Sequence, residues 1–196
     1  MKRLFDLLFA GLALFLLLPV LFLLVLLVGT GSPGGVFFRQ TRVGRGGRTF
    51  QLLKFRSMHP GSEATGQITV GVRDPRITAI GHFLRRTKLD ELPQLLNILR
   101  GEMSLVGPRP EVPRYVALYT AEQRQVLTVR PGLTSLASIA YINEAEVLGR
   151  SDDPERTYTE EVMPAKLALD LQYVREQNML LDLRIIAATV LHLLRG

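Results

Sequence analysis

The sequence contains no cysteine, which excludes disulfide bonds, thiolate catalysis and cysteine-based metal sites. It has no Walker A loop, so the phosphate-binding loop of that type is missing as well. A single long apolar run is present, and this excludes a multi-spanning membrane architecture. The chain of 196 residues is long enough for one domain of ordinary size with a buried core.

Acidic residues are missing between Asp6 and Glu63, although the whole chain carries a net charge of only +6. The basic residues in this window are Arg39, Arg42, Arg45, Arg48, Lys54 and Arg56. Such an unopposed block suits an anionic bilayer surface, a phosphorylated ligand or nucleic acid, and composition alone does not choose among them. The block is not interleaved with stacking aromatics in a recognisable RNA-binding pattern, so nucleic acid is not an expected partner.

The apolar run extends from Leu7 to Val28, and its roughly 22 residues would form about 33 Å of helix, enough to cross a bilayer core. Pro19 lies near its middle, where proline removes a backbone hydrogen bond and favours a bend. Both flanks are basic, so both ends favour the cytoplasmic side. These features favour a re-entrant helix kinked at Pro19, with a straight span as the alternative. Asp6 is expected to pair with Lys2 or Arg3.

Residues Gly29 to Gly35 are rich in Gly, Pro and Ser and predict a connector. We therefore divide the chain into a membrane anchor, residues 1–35, and a domain on the cytoplasmic face, residues 36–196. Two β-prone segments, 36–43 and 49–56, flank a Gly/Arg-rich loop and predict a β-hairpin. Strand alternation places Lys54 and Arg56 on the same face, where both are reasonable phosphate contacts.

The segment from Lys88 to Pro110 contains two adjacent carboxylates, Asp90 and Glu91. Proline and glycine punctuation predicts a helix from Pro93 to Arg100, capped by Gly101. The carboxylates then precede the positive end of the helix dipole, where anions and metal-bound phosphates collect. A structural alternative is a capping box, in which Thr87 and Asp90 only satisfy backbone N–H groups.

Three further segments predict helices. Residues 111–127 mix apolar and polar positions, residues 162–177 carry an apolar stripe, and residues 180–194 are more apolar. The last could lie in the membrane interface or form a buried core helix. The predicted fold is therefore α+β and mostly helical, with a re-entrant anchor, a small hairpin and amphipathic interfacial helices around the helix that follows Asp90 and Glu91.

Six short blocks occur in a familiar order: KRLFD at residues 2–6, FRQTRVG at 38–44, KFRSM at 54–58, LDELPQ at 89–94, GEMSLVGPRP at 101–110 and RPGLT at 130–134. Over nearly its full length the chain resembles the bacterial sugar transferase family of monotopic phosphoglycosyl transferases. The resemblance implies transfer of a phosphosugar from a nucleotide diphosphate sugar, with UDP as the expected nucleotide, to polyprenyl phosphate. It also implies a place on the cytoplasmic face of a bacterial inner membrane.

Carried over by motif, Asp90 is expected to be the nucleophile and Glu91 the Mg²⁺ ligand. A carboxylate that attacks phosphorus forms a covalent intermediate, so the resemblance implies ping-pong kinetics with release of UMP. The basic residues expected around the phosphates are Lys54, Arg56, Arg85, Arg109 and Arg130. Structural ion pairing is the alternative for each of them.

The anchor departs from the family at one position, because Leu18 stands before Pro19 where many members have serine. A serine hydroxyl there would help to satisfy the broken backbone. A second functional hypothesis is a non-catalytic membrane scaffold that recruits lipids or acidic partners through its basic face. The sequence is compatible with a homodimer as well as with a monomer.

Overall fold

The computed structural model of the chain describes residues 1–32, 34–71 and 74–195. They form a mostly helical α+β fold with two small sheets. The helices are α1 Lys2–Gly31, α2 Ala79–Arg86, α3 Gln94–Arg100, α4 Pro113–Val116, α5 Leu136–Ala140, α6 Glu144–Gly149, α7 Pro154–Thr157, α8 Met163–Glu176 and α9 Met179–Arg195. The strands are β1 Phe37–Val43, β2 Thr49–Phe55, β3 Ser104–Val106 and β4 Gly132–Thr134. Pro33, part of the predicted connector, lies outside the described residues.

The apolar run forms the single long helix α1, which continues through Pro19 and includes the first three residues of the predicted connector. By length and composition α1 could cross a membrane. The kink at Pro19 and the re-entrant course remain predictions. One stripe of the helix is buried against the body, while its other faces expose the large apolar side chains of Leu8, Leu12, Phe15, Leu16, Phe22 and Leu23.

The N-terminal end of α1 is fastened to the body by its first polar residues. Lys2 forms a 2.5 Å ion pair with Asp182 of α9, and Arg3 donates to the carbonyl of Ile98 at 2.8 Å. Asp6 is buried and accepts hydrogen bonds from the Ser104 hydroxyl and a backbone N–H of β3. The expected pairing of Asp6 with Lys2 or Arg3 is therefore wrong, because the two cations point to other partners.

The C-terminal half of α1 contacts the same body. Leu24 and Val28 are buried in a cluster with Phe55 of β2 and Leu84 of α2. Because both ends of α1 contact one domain, the helix lies along the body instead of leading away from it. The exposed apolar side chains of α1 therefore form a surface along one side of the protein.

The predicted hairpin is confirmed, with β1 and β2 antiparallel and Phe38 opposite Lys54. A second sheet, in which β3 and β4 run parallel, was not predicted. It joins two of the sequence blocks named above, GEMSLVGPRP and RPGLT. Gly107 and Gly132 permit this close approach, since a Cβ on either would lie within 2.5 Å of backbone atoms of the other block.

The single helix predicted over residues 111–127 is wrong. The chain instead forms the short helix α4 and a 3₁₀ segment, Gln123–Thr128. Thr120 and Gln123 exchange side-chain to backbone hydrogen bonds at 2.9 and 3.2 Å, and this reciprocal cap starts a new turn. The interruption lets Tyr115, Tyr119 and Val126 enter one buried cluster.

The two C-terminal helices are present as α8 and α9. Leu167 and Leu171 of α8 are buried in one cluster while Tyr173 is buried in another, so this helix is covered on two sides. In α9, Ile185 is buried but Leu180 and Leu191 are more than half exposed. Its placement in a membrane interface remains a prediction.

Helix α2 can pack on the end of the hairpin only because residue 81 is glycine. A Cβ at Gly81 would lie 1.9 Å from the carbonyl oxygen of Ser57. We expect Gly81→Ala to destabilise the protein by about 3 kcal/mol, the upper range for overpacking against rigid backbone. Thermal unfolding in detergent measures the effect. The matched control is Gly11→Ala in α1, where the added Cβ meets nothing within 4 Å. Equal melting temperatures for the two variants would contradict this assignment.

Candidate active site

A cavity of about 600 Å³ lies between the hairpin, α1, α9 and the loop that follows the hairpin. Asp90 and Glu91 line one part of it. The cations whose charges act on these carboxylates are Lys54, Arg85, Lys88 and Arg109, and Arg56 lines the same cavity. Four cations therefore surround two carboxylates, so this end of the cavity suits an anionic ligand.

Asp90 is held in a 3₁₀ turn, Leu89–Glu91, directly before α3. The turn is entered through Lys88, which adopts a left-handed conformation (φ 57°), alone among the described non-glycine residues. Such a backbone typically costs about 1–3 kcal/mol and is retained where the surrounding structure requires it. At Lys88 this conformation turns the chain sharply at the end of α2, so that Asp90 faces the cavity.

The Asp90 carboxylate is buried, with a relative exposure of 5%. Its Oδ1 atom makes no hydrogen bond with any described residue. Burial raises the pKa of Asp90, and the positive charge of Lys54 opposes this rise. The capping-box alternative is wrong, because the Thr87 hydroxyl donates back to the carbonyl of Phe83 and belongs to the end of α2.

Glu91 has two cationic partners from separate parts of the chain. Lys54 of β2 contacts Oε1 at 2.8 Å, and Arg109 contacts Oε1 and Oε2 at 2.5 and 3.2 Å. Burial favours the neutral acid, but the charges and hydrogen bonds of Arg109 and Lys54 outweigh it and hold the pKa of Glu91 well below its usual range. Glu91 is therefore a permanent carboxylate at neutral pH.

Of the other three predicted phosphate contacts, two line the cavity and one does not. Arg56 and Arg85 line the cavity, where Arg56 donates to the carbonyl of Gly35 and Arg85 to the hydroxyl of Thr69. Arg130 is not among the lining residues. Its guanidinium donates to the carbonyl of Gly101 at 3.0 Å, at the negative end of α3.

Asn97 is a supporting residue that the sequence analysis missed. It is fully buried in α3, accepts the N–H of Leu53 at 3.0 Å, and donates to the carbonyl of Gln51 at 2.7 Å. It thereby fixes the outer edge of β2 to the helix that follows Asp90. An asparagine inside a short helical pattern gives a weak signal, because its two partners on β2 lie more than 40 residues away in the sequence.

Asp170 of α8 is a buried carboxylate that the sequence did not reveal. Its Oδ1 atom makes no hydrogen bond with any described residue. Burial raises the pKa of Asp170 to about 7, against the charge of Lys166 and the nearby Ser135 side chain and Arg109 backbone, which favour the carboxylate.

Magnesium is the ion that the resemblance implies. In the described part of the chain no three His, Cys, Asp or Glu side chains form a metal-binding group. The two adjacent carboxylates, with the unpaired Oδ1 of Asp90, nevertheless fit Mg²⁺, which is usually held by one or two carboxylates together with substrate phosphates and water. Asp90 and Glu91 are the residues that would hold it.

The cavity also has an apolar lining. Its apolar residues include Phe9, Ala13, Leu92, Leu105, Leu133, Ile186, Val190 and Leu193. Phe9 and Ala13 belong to α1, and the last three belong to α9. One cavity therefore joins a cationic site at Asp90 to an apolar wall formed in part by the exposed membrane-type helix.

The fold and cavity combine buried carboxylates and cations with one apolar helix that is long enough to cross a membrane, which suggests membrane association. A sequence model described as "Bacterial sugar transferase" matches residues 1–196. The chain belongs to the bacterial sugar transferase family.

Curated relatives are similar over almost the whole chain. The UDP-glucose:undecaprenyl-phosphate glucose-1-phosphate transferase of Caulobacter vibrioides is 39% identical, over 98% of this chain and 69% of its own length. The protein with the same name from Escherichia coli is 38% identical over 97% of this chain but only 39% of its own length. An exopolysaccharide production protein of Rhizobium leguminosarum bv. phaseoli is 40% identical, over 100% of this chain and 96% of its own length.

The hydrogen bonds of Asn97 to β2 can be tested by removing its side chain. Asn97→Ala leaves a buried N–H of Leu53 and a carbonyl of Gln51 without partners, and each such orphan costs about 1–3 kcal/mol. We expect a loss of about 3 kcal/mol in the free energy of unfolding, measured by denaturant titration in detergent. Asn143→Ala, at a position without a side-chain cap bond, should change little. If the two variants are equally stable, Asn97 does not fix β2.

Proposed function

We propose that this protein transfers a phosphosugar from a UDP-sugar to polyprenyl phosphate and releases UMP, as the first membrane step of glycan assembly. The observation that carries the proposal is the single cavity in which the unpaired Asp90 carboxylate, a cationic surface and an apolar wall meet. A soluble anionic donor and a lipid-linked anionic acceptor would both find complementary surface there. The names of the relatives support the same reaction class.

The proposed reaction has two displacements at one phosphorus atom. A carboxylate oxygen of Asp90 attacks the phosphorus that carries the sugar, the bond to the bridging oxygen breaks, and UMP leaves with the electron pair. An oxygen of polyprenyl phosphate then attacks the same phosphorus, and the bond to Asp90 breaks. The product is a polyprenyl diphosphosugar, and the Asp90 carboxylate is restored.

The residues around Asp90 support this sequence of bond changes. Burial strips water from the carboxylate, which makes it more reactive but raises its pKa. The charges of Lys54, Arg85 and Lys88 oppose that rise and favour the ionised nucleophile. Arg109 and Lys54, already oriented by Glu91, offer fixed positive charge to the diphosphate oxygens. When bound, Mg²⁺ would neutralise charge that develops on the phosphoryl oxygens.

The anchor is proposed to be re-entrant, so that the protein is attached to the cytoplasmic face of the bacterial inner membrane. Contacts of both ends of α1 with one body support this placement, since a straight span would carry one end away from the domain. The basic flank at Lys2 and Arg3 and the basic hairpin also favour the same side of the membrane.

The chemical proposal is tested at the two carboxylates. We expect Asp90→Asn to abolish transfer and Glu91→Gln to reduce it at least about 1000-fold, because the first lacks a nucleophile and the second loses the charge that orients the cations. UMP release from UDP-glucose with polyprenyl phosphate measures both. Asp152→Asn, at an exposed acidic position, is the control and should retain full activity.

The proposed covalent intermediate on Asp90 can be detected directly by mass spectrometry. Wild-type protein mixed with donor alone should gain the mass of one phosphosugar, and peptide mass spectrometry should locate that mass on Asp90. An adduct on another side chain would overturn the assignment, as would full activity in Asp90→Asn. If no UDP-sugar yields UMP with wild-type protein, the membrane-scaffold hypothesis takes its place.

The anchor proposal is tested by labelling. Because the natural chain has no cysteine, a cysteine added before Met1 and a separate Arg39→Cys substitution each give one unique label site. Both sites should react with a membrane-impermeant maleimide in inside-out vesicles and be protected in intact cells. Labelling from opposite sides would establish a straight span. The paired positions serve as each other's control.

A further inference from the structure

The cavity contains a second set of charged groups, distinct from Asp90, Glu91 and the cations that surround them. We call this set the polar wall; it consists of Arg42, Glu111, Glu144, Tyr158 and Lys166. These side chains come from β1, from the segment after Arg109, from α6, and from the π-helical turn and helix at the start of α8. None of the roles described above uses them.

The polar wall is an ordered hydrogen-bond network. Arg42 contacts Oε1 of Glu111 at 2.9 Å, and the Tyr158 hydroxyl donates to Oε2 of the same carboxylate. Lys166 contacts Oε2 of Glu144 at 2.5 Å and lies over the ring of Tyr158. Burial raises the pKa of Tyr158, so its phenol remains a donor at neutral pH.

The charges of the polar wall balance, since two cations are paired with two carboxylates. This differs from the end of the cavity at Asp90, where cations are in excess. A balanced set of fixed donors and acceptors repels neither sign and suits a neutral ligand with many hydroxyl groups. Within the described chain, Oε1 of Glu144 makes no hydrogen bond and is free to accept one from a ligand hydroxyl.

The polar wall also begins where the proposed reaction occurs. Arg109, which contacts Glu91, lies close enough to Glu144 for their charges to interact. Glu111 follows Arg109 by two residues. In a UDP-sugar the sugar is joined through one oxygen atom to the phosphorus that Asp90 would attack, whereas uridine is separated from that phosphorus by another phosphate. The group that lies next to the reacting phosphorus is therefore the sugar.

We infer that the polar wall is the sugar-binding subsite, in which Glu144 and Lys166 bind sugar hydroxyls and determine which UDP-sugar is used. This inference rests on the proposed function and assigns the part of the cavity that selects the donor. Glu144 would accept from a hydroxyl through its free oxygen, and Lys166 would donate to a neighbouring one. The cationic end would remain common to all UDP-sugars.

The test compares Glu144→Gln and Lys166→Met with wild-type protein. For each protein, kcat/KM is measured with UDP-glucose, UDP-galactose, UDP-xylose and UDP-N-acetylglucosamine, and the inhibition constant of UDP, which lacks a sugar, is measured alongside. We expect kcat/KM for the preferred donor to fall about 10- to 100-fold, as for loss of a hydrogen bond to a charged group. The preference among donors should shrink, while the inhibition constant of UDP changes less than about twofold.

The matched control is Glu146→Gln, because Glu146 is exposed on the same helix as Glu144 and does not line the cavity. It should behave as wild type with every donor. Unchanged donor preference in both polar-wall variants would overturn the inference, and so would equal losses for all four donors and for UDP. Inactivity of wild-type protein toward every UDP-sugar would instead refute the proposed function, so the two failures are distinguishable.

Discussion

The structure depends on one buried carboxylate that is held by two cations. Glu91 receives Lys54 from the hairpin and Arg109 from the segment after β3, so a single group joins three separated parts of the chain. Loss of one partner from such a buried set leaves an uncompensated charge, which is more costly than the net gain from forming the pair. This constraint keeps Asp90, the residue directly before Glu91, in a fixed position on the cavity.

The long apolar helix α1 is part of the site. Asp6 is bonded to β3, and Ala10 is buried beside the core of the hairpin and α3. The same helix contributes Phe9 and Ala13 to the cavity wall. The cavity therefore combines buried carboxylates with a wall to which α1 contributes apolar side chains, and the proposed water-soluble donor and lipid-linked acceptor would each find complementary surface there.

Prediction from the sequence succeeded where the signal was local. Turn residues between two β-prone segments predicted the hairpin, and a proline and the Gly101 cap predicted α3. Asp90 and Glu91 are close because they are neighbours in the sequence. It failed for the helix over residues 111–127, because buried tyrosines and a second cap overrode the periodicity. Asn97 was missed since nothing beside it in the chain indicates its partners.

The sequence by itself determined the family, the apolar anchor and the types of residue available for phosphate chemistry, because these depend on composition and on short motifs. Only the tertiary structure decided which basic residues surround Asp90. It brought Lys54 and Arg109 to Glu91 and turned Arg130 toward the end of α3, although the sequence treated all three alike. The physical reason is that ion pairs form between groups that packing brings within about 4 Å, and their separation along the chain does not encode that distance.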